Sequence, residues 1–331
     1  HSLVLADMQS AESTRASAQI RTLFSAEMSD LAAAISVLDE RSRASLANMS
    51  QLHDLTESQR LRISLALVSY DTSHIPYLRR RFLSAGATEL KAIREALAEF
   101  RAQLVPEFWH QLKDPSTAPG QRLRLAAMLA AYDPEGLSWS AVSRDVALLL
   151  ARQSSLEIGT WESLFSPVRA SLLPELRELM ISAEDSERGF IAASLCASYA
   201  ADDGKQLVEM IRTATPRQVS LLGTRLAEHS ETATAMLVEI LSEQPQPDDA
   251  AKILPAENLN TTYADKALDD LAKLQARAAL ALIAMGQPER TWPVLQSGPQ
   301  PRLRTYLIDQ FSKAEVDPLL LLDRLKTEPD A

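Results

Sequence analysis

Glycine is scarce in this chain, 9 of 331 residues, against an ordinary level of about 7%. That shortage counts against folds built on Gly-rich turns, nucleotide-binding α/β folds and most all-β sandwiches among them. Cys196 is the one cysteine, which excludes an internal disulfide framework and any cysteine-built zinc site. It lies in the apolar stretch Ile191–Ala197, where a small core residue is expected. Aromatic residues make up only 5%. Positive charge is not in excess either: 34 Lys+Arg stand against 44 Asp+Glu, a net charge of −10. A nucleic-acid partner needs a basic footprint, so none is expected. No apolar run approaches the roughly 18 residues that span a bilayer, and no direct membrane insertion is expected. No basic segment followed by an apolar block marks a signal peptide. The chain opens on His1 rather than methionine, as expected of a processed protein or of an excised piece of a longer one.

Apolar residues are plentiful, 46% of the chain, and their spacing is helical. Leu90, Ile93, Leu97 and Phe100 form one stripe, and Trp139, Val142, Val146, Leu149 and Leu150 a second. Leu172, Leu173, Leu176, Leu179 and Met180 form a third, and Met236, Leu237, Ile240 and Leu241 a fourth. Each puts one apolar face on a helix. No segment alternates with period two for long enough to predict a strand. Helix starts are marked by Thr56-Glu57-Ser58-Gln59, Thr215-Pro216-Arg217-Gln218 and Asp317-Pro318, each a capping residue followed by a favourable first turn. The signals recur at short intervals, which predicts short, closely connected helices.

Internal repetition organises these helices. The segment from Gln59-Arg60-Leu61-Arg62 to Tyr70-Asp71 recurs 62 residues later as Gln121-Arg122-Leu123-Arg124 to Tyr132-Asp133. Arg101–Glu107 recurs 68 residues later as Arg169–Glu175, with Leu, Val/Leu, Pro and Glu in register. Arg188 to Tyr199 resembles a third copy of the first motif; Leu226-Ala227-Glu228 echoes Leu97-Ala98-Glu99, and Gln275–Leu280 and Pro301–Leu307 are later relatives. A unit of this length holds four short helices, or two hairpins. A single hairpin cannot bury its own apolar face, and stacking supplies the missing surface. The expected fold is therefore all-α, an α/α superhelix: a HEAT-like α-solenoid of short antiparallel helix pairs over 31–331, preceded by a linker or first helix over 1–30. Residues 113–120 and 297–301 read as a loop and a turn. The polar, Pro-bearing stretch 242–262 reads as a long mobile loop.

Chemistry-bearing patterns are sparse. The histidines are His1, His53, His74, His110 and His229, no two at the i, i+3 or i+4 spacing of a helical metal site. No phosphate-cradling Gly-rich loop and no Gly-x-Ser-x-Gly elbow occurs. Asp202-Asp203, Asp248-Asp249 and Asp269-Asp270 are adjacent carboxylates, which on a helix do not face one another. No catalytic, cofactor-binding or metal-binding residue is expected. The repeated Arg-x-Arg is different. If its helices are equivalent, Arg60, Arg62, Arg122 and Arg124, with Arg302 and Arg304, form a ladder that Arg79, Arg80 and Arg81 extend. Two readings are open: ion pairs to Glu or Asp between repeats, or a docking strip for an acidic partner or phosphopeptide. Tyr70-Asp71 and Tyr132-Asp133 are expected to cap and pack helix ends.

A family resemblance rests on Gln121–Pro134, Trp139, Ser166-Pro167-Val168-Arg169, Leu172-Leu173-Pro174 and Tyr199-Ala200-Ala201-Asp202. It continues in Gln275-Ala276-Arg277, Trp292–Leu295, Pro301–Ile308 and Glu328-Pro329-Asp330. From about residue 55 onward the chain resembles the helical-repeat region of large planctomycete-type bacterial proteins. That resemblance implies a linker module that follows a serine/threonine protein kinase domain, often with a transmembrane helix between, and precedes a formylglycine-generating (sulfatase-modifying) domain. Neither catalytic signature is in this chain, so no catalytic residue is carried over. The expectation is a non-catalytic scaffold or spacer that contacts a protein partner or flanking domains of the same chain, membrane attachment being supplied elsewhere. A stand-alone peptide-binding adaptor is the alternative. Leu319–Leu322 near the end looks uncapped, which favours the spacer. An α/α-toroid enzyme is the remote third reading, since it needs acidic and aromatic residues converging on one pocket.

Overall fold

A computed structural model describes residues 2–52, 54–183, 186–244, 261–295 and 301–327. The protein is all-α, and no strand occurs among the described residues. The chain divides into two compact units, His1–Val168 and Arg169–Ala331.

In the first unit α1 (Ser2–Ser25), α2 (Leu31–Ser36) and α3 (Glu40–Ser50) precede α4 (Glu57–Leu67), α5 (Ile75–Phe82) and α6 (Ala87–Ala96). α7 (Arg101–Lys113), α8 (Pro119–Tyr132), α9 (Trp139–Leu150) and α10 (Ile158–Phe165) complete it. The stretch 1–30 is thus mostly a helix, which packs on α3. Helices two apart also touch: α4 meets α6, and α6 meets α8. Phe82 of α5 meets Phe108 of α7 edge-on at 5.2 Å, and Trp109 of α7 meets Trp139 of α9 at 5.2 Å. Both geometries are favoured by the ring quadrupoles.

The second unit runs α11 (Arg169–Ser182), α12 (Glu187–Tyr199), α13 (Gly204–Ile211), α14 (Pro216–Leu226), α15 (Ser230–Ser242), α16 (Thr261–Ala284), the one-turn α17 (Trp292–Leu295), α18 (Pro301–Lys313) and α19 (Pro318–Thr327). α12, α14, α16 and α18 follow one another in contact, and α13 packs on α15. Gly223 of α14 makes one approach possible, since a Cβ there would sit 2.6 Å from Cβ of Ala284 on α16.

The sequence repeats are repeats of structure. The Gln-Arg-Leu-Arg segments form α4 and α8, the third copy forms α12, and Gln275–Leu280 lies in α16. Arg101 and Arg169 begin α7 and α11, each straight after a 3₁₀ turn, 98–100 and 166–168, and each carries its proline at the sixth position, Pro106 and Pro174. The Leu-Ala-Glu echo is a third such turn, 227–229, before α15.

Burial follows the expected stripes: Leu90, Ile93, Leu97, Trp139, Val142, Val146, Leu172, Leu176, Met180 and Leu237 are all buried. Thr56 and Gln59 form the reciprocal cap of α4, and Asp317 accepts from the Leu319 amide. Two expectations change. α1 and α16 have 24 residues each, longer than the short helices expected. The loop read over 113–120 is only 114–118, because Lys113 stays in α7 and Pro119 takes the first position of α8, where a missing N–H costs nothing. Most of the stretch 242–262, most of the turn 297–301, and also His1, His53, Asp248-Asp249 and Glu328-Pro329-Asp330, lie outside the described residues.

Candidate functional site

The arginines singled out by the repeat do not form one open strip. Arg62 on α4 donates from Nη1 to the carbonyls of Leu23 at 3.2 Å and Ala26 at 2.8 Å, in and just beyond the last turn of α1. Arg124, its counterpart on α8, donates from Nε to the Ala85 carbonyl at 2.6 Å and from Nη1 to that of Gly120 at 2.7 Å. The C-terminal end of a helix leaves carbonyls without partners and carries partial negative charge, so at the end of α1 the Arg62 guanidinium satisfies both demands at once, whereas Gly120 lies in the first turn of α8. Burial lowers the pKa of Arg124 below the ordinary guanidinium value, yet a guanidinium stays charged throughout the working range.

The other members meet carboxylates. Arg122 reaches Asp145 at 2.8 Å, Arg79 pairs with Glu107, Arg81 holds both oxygens of Glu89, and Arg302 reaches Asp265 and Asp269 at 2.7 and 3.2 Å. These four therefore meet carboxylates, and Arg122 and Arg302 add the carbonyls of Leu112 and Asp265, whereas Arg62 and Arg124 go to main-chain carbonyls. Arg60 and Arg80 remain exposed. Arg80 borders a shallow notch of about 300 Å³ with Pro76 and Phe108, where Arg79 is already occupied by Glu107.

Sequence reasoning missed the other users of this device. Arg94 on α6 donates to the carbonyls of Ala127 and Leu164 at 3.1 and 2.7 Å, and Arg277 on α16 to that of Arg212 at 2.9 Å. Gln218 reaches Met180 and Gly189, and Gln275 reaches Leu241 and Glu243. None of these belongs to an Arg-x-Arg pair. The usable signal was a lone polar residue inside an apolar helix face.

Tyr132 and Asp133 both tie helix ends. The Tyr132 hydroxyl donates to the Arg94 carbonyl at 2.6 Å, and Asp133 accepts from Trp109 Nε1 at 2.7 Å. Tyr70 is exposed instead, with the Arg43 guanidinium 4.6 Å from its ring centroid, while Asp71 caps a short turn through the Ser73 amide.

One Ser, His and Asp come together. His74 Nδ1 lies 3.1 Å from Ser64 Oγ, and Nε2 lies 3.9 Å from Asp71 Oδ2. Ser64 is 2% exposed, so its hydroxyl meets no substrate, and the carboxylate is beyond hydrogen-bond reach. Among the adjacent carboxylates Asp203 caps α13, Asp202 pairs with Arg169, and Asp269 pairs with Arg302. Among the described residues no group of three or more His, Cys, Asp and Glu could hold a metal ion, and no helix is long and apolar enough to cross a membrane.

A groove of about 660 Å³ lies in the first unit, within the range of ligand sites. One wall is α2, with Leu31, Ala32, Ile35 and Ser36. The facing wall is α6, with Thr88, Lys91, Ala92, Glu95 and Ala96. Leu65 of α4 lies at its floor, and Ser69 and Thr160 add hydroxyls. The positions on α6 are i, i+3, i+4, i+7 and i+8, two turns of one helix face left without a partner. Lys91 and Glu95 are exposed, and neither makes an ion pair with another described residue. No protein-family model, curated protein or solved structure matches the chain.

Proposed function

We propose that this chain is a non-catalytic helical-repeat scaffold that seats a protein segment in the α2–α6 groove. The segment belongs to a partner or to a flanking domain of the same polypeptide. The observation that carries this reading is the groove itself. Two helix faces enclose it, apolar and small side chains lie at its base, and Lys91 and Glu95 stand exposed on one wall without an ion pair among the described residues. The arginines that bond carbonyls support the reading, since Arg62, Arg94 and Arg124 tie α4, α6 and α8 to neighbouring segments and so fix the α6 wall. The resemblance to spacer regions beside kinase and formylglycine-generating domains favours a larger bacterial signalling protein as the setting.

The test is site-directed photo-crosslinking in the source cell. A photoreactive residue replaces Ala92 in the groove or Leu137, which is 95% exposed on a loop. A defined adduct from position 92 and none from 137 is the expected result. Equal labelling from both positions, or turnover of substrate by the purified chain in a hydrolase and transferase screen, would remove the proposal.

A further inference from the structure

The groove also specifies the kind of segment it takes, an inference that rests on the docking reading above. An extended peptide in a helical-repeat groove leaves its backbone N–H and C=O groups to be satisfied by the host. Long side chains with amide or guanidinium heads serve that purpose, and none lines this groove. A helix satisfies its own backbone and asks only for an apolar seat. Ala32, Ala92 and Ala96 let a third helix axis come close to two existing ones. The α6 face runs from Thr88 to Ala96, about 12 Å or two turns.

Charge completes the specification. Lys91 and Glu95 stand one turn apart on that face; neither makes an ion pair with a described residue, and the Glu95 charge acts only through space on the buried Arg94 guanidinium, which is turned to main-chain carbonyls. We infer that the groove receives about two turns of an amphipathic helix from a protein partner, apolar face inward, with an acidic side chain opposite Lys91 and a basic one opposite Glu95. Parallel and antiparallel seating both satisfy this pairing, so the recognised feature is one charge of each sign a turn apart. Two like charges do not satisfy it.

Four synthetic helical peptides test the inference on the full chain by fluorescence anisotropy. They share one apolar face and carry Glu/Lys, Glu/Glu, Lys/Lys or Gln/Gln at the two flanking positions. The protein's net charge of −10 favours the Lys/Lys peptide everywhere, so the informative quantity is how the ranking changes in Lys91→Glu. Wild type is expected to prefer Glu/Lys to Glu/Glu and Gln/Gln by about threefold, as exposed ion pairs allow. Lys91→Glu should shift the Lys/Lys to Glu/Lys affinity ratio about threefold or more toward Lys/Lys, and about 0.5 M salt should erase the shift. An unchanged ranking in Lys91→Glu overturns the inference. Ala92→Trp separates that failure from failure of the groove. If it weakens all four peptides while the charge ranking stays flat, the groove is a docking site without the charge rule. If it weakens none, or if no peptide binds by about 1 mM, both readings fall.

Discussion

Arg124 and Ala85 lie 39 residues apart and are joined by a 2.6 Å hydrogen bond from guanidinium Nε to main-chain carbonyl. The bond fastens the segment between α5 and α6 to α8. Arg124 is half-buried, so deleting its head strands a carbonyl rather than returning it to bulk water. Arg124→Met should therefore cost about 1–3 kcal/mol, as for an unsatisfied group. Arg60→Met, at an exposed position of the same motif, should stay within about 0.5 kcal/mol of wild type. Urea unfolding followed by circular dichroism checks both. Equal effects at the two positions would mean that the carbonyl contact contributes nothing specific.

The same contact shows where sequence reading stops. Helices, caps and repeat phase were legible because they depend on neighbours within a turn or two: the Leu90-Ile93-Leu97 stripe, the Thr56–Gln59 cap, Pro106 and Pro174 in register. The destination of an arginine head was not, because it depends on which helix end arrives beside it from a distant stretch of chain. Arg122 and Arg124 look alike in sequence, yet Arg122 meets Asp145 and the Leu112 carbonyl while Arg124 meets only carbonyls, those of Ala85 and Gly120. The groove was hidden for a related reason. In sequence Lys91 and Glu95 are only two opposite charges four residues apart, and the placement of α2 opposite α6 makes a wall of them.

Two helix ends use one backbone motif with different residues. Beyond α16, Gly286 has φ +77°, and the Gln287 amide reaches back to Leu282 at 2.9 Å. Beyond α18, Glu315 has φ +54°, and the Val316 amide reaches back to Phe311 at 3.2 Å. The left-handed conformation suits glycine and penalises a residue with a Cβ by about 1–2 kcal/mol. Nothing lies within 4 Å of a Cβ built at Gly286, so Gly286→Ala isolates the backbone cost, about 1 kcal/mol. Glu315→Gly should stabilise by a somewhat smaller amount, since its 4.0 Å approach to exposed Arg217 is worth little. Thermal midpoints that moved in the same direction for both variants would contradict this assignment.

His74 supplies a pH dependence. Burial lowers its pKa below the ordinary 6.5, partly opposed by Asp71. The unfolded chain then takes up the proton first. Stability is complete above the unfolded pKa and falls as pH drops from about 6.5 toward the lower folded value. The expected result is a lower urea midpoint at about pH 5.5 than at about pH 7.5, and a smaller difference in His74→Gln. A midpoint that rises on acidification over this window would reverse the sign and exclude the buried neutral imidazole as its source.

Cys196 gives a probe of the second unit. It is wholly buried in α12, and burial pushes its thiol up to about 12. At about pH 8 only about one thiol in ten thousand is ionised in place, and the thiolate is the attacking species. Reaction with an aromatic disulfide reagent must therefore wait for an opening that exposes the side chain, so its rate reads the open population. Arg277 on α16 donates to the Arg212 carbonyl after α13 at 2.9 Å. Arg277→Met should weaken that region by about 1 kcal/mol and raise the labelling rate about fivefold. If the rate rises while the global urea midpoint holds, Cys196 is exposed by local opening of its surroundings. If rate and midpoint change together, exposure requires cooperative unfolding of the unit. If neither changes, the Arg277 bond contributes nothing to holding that region closed.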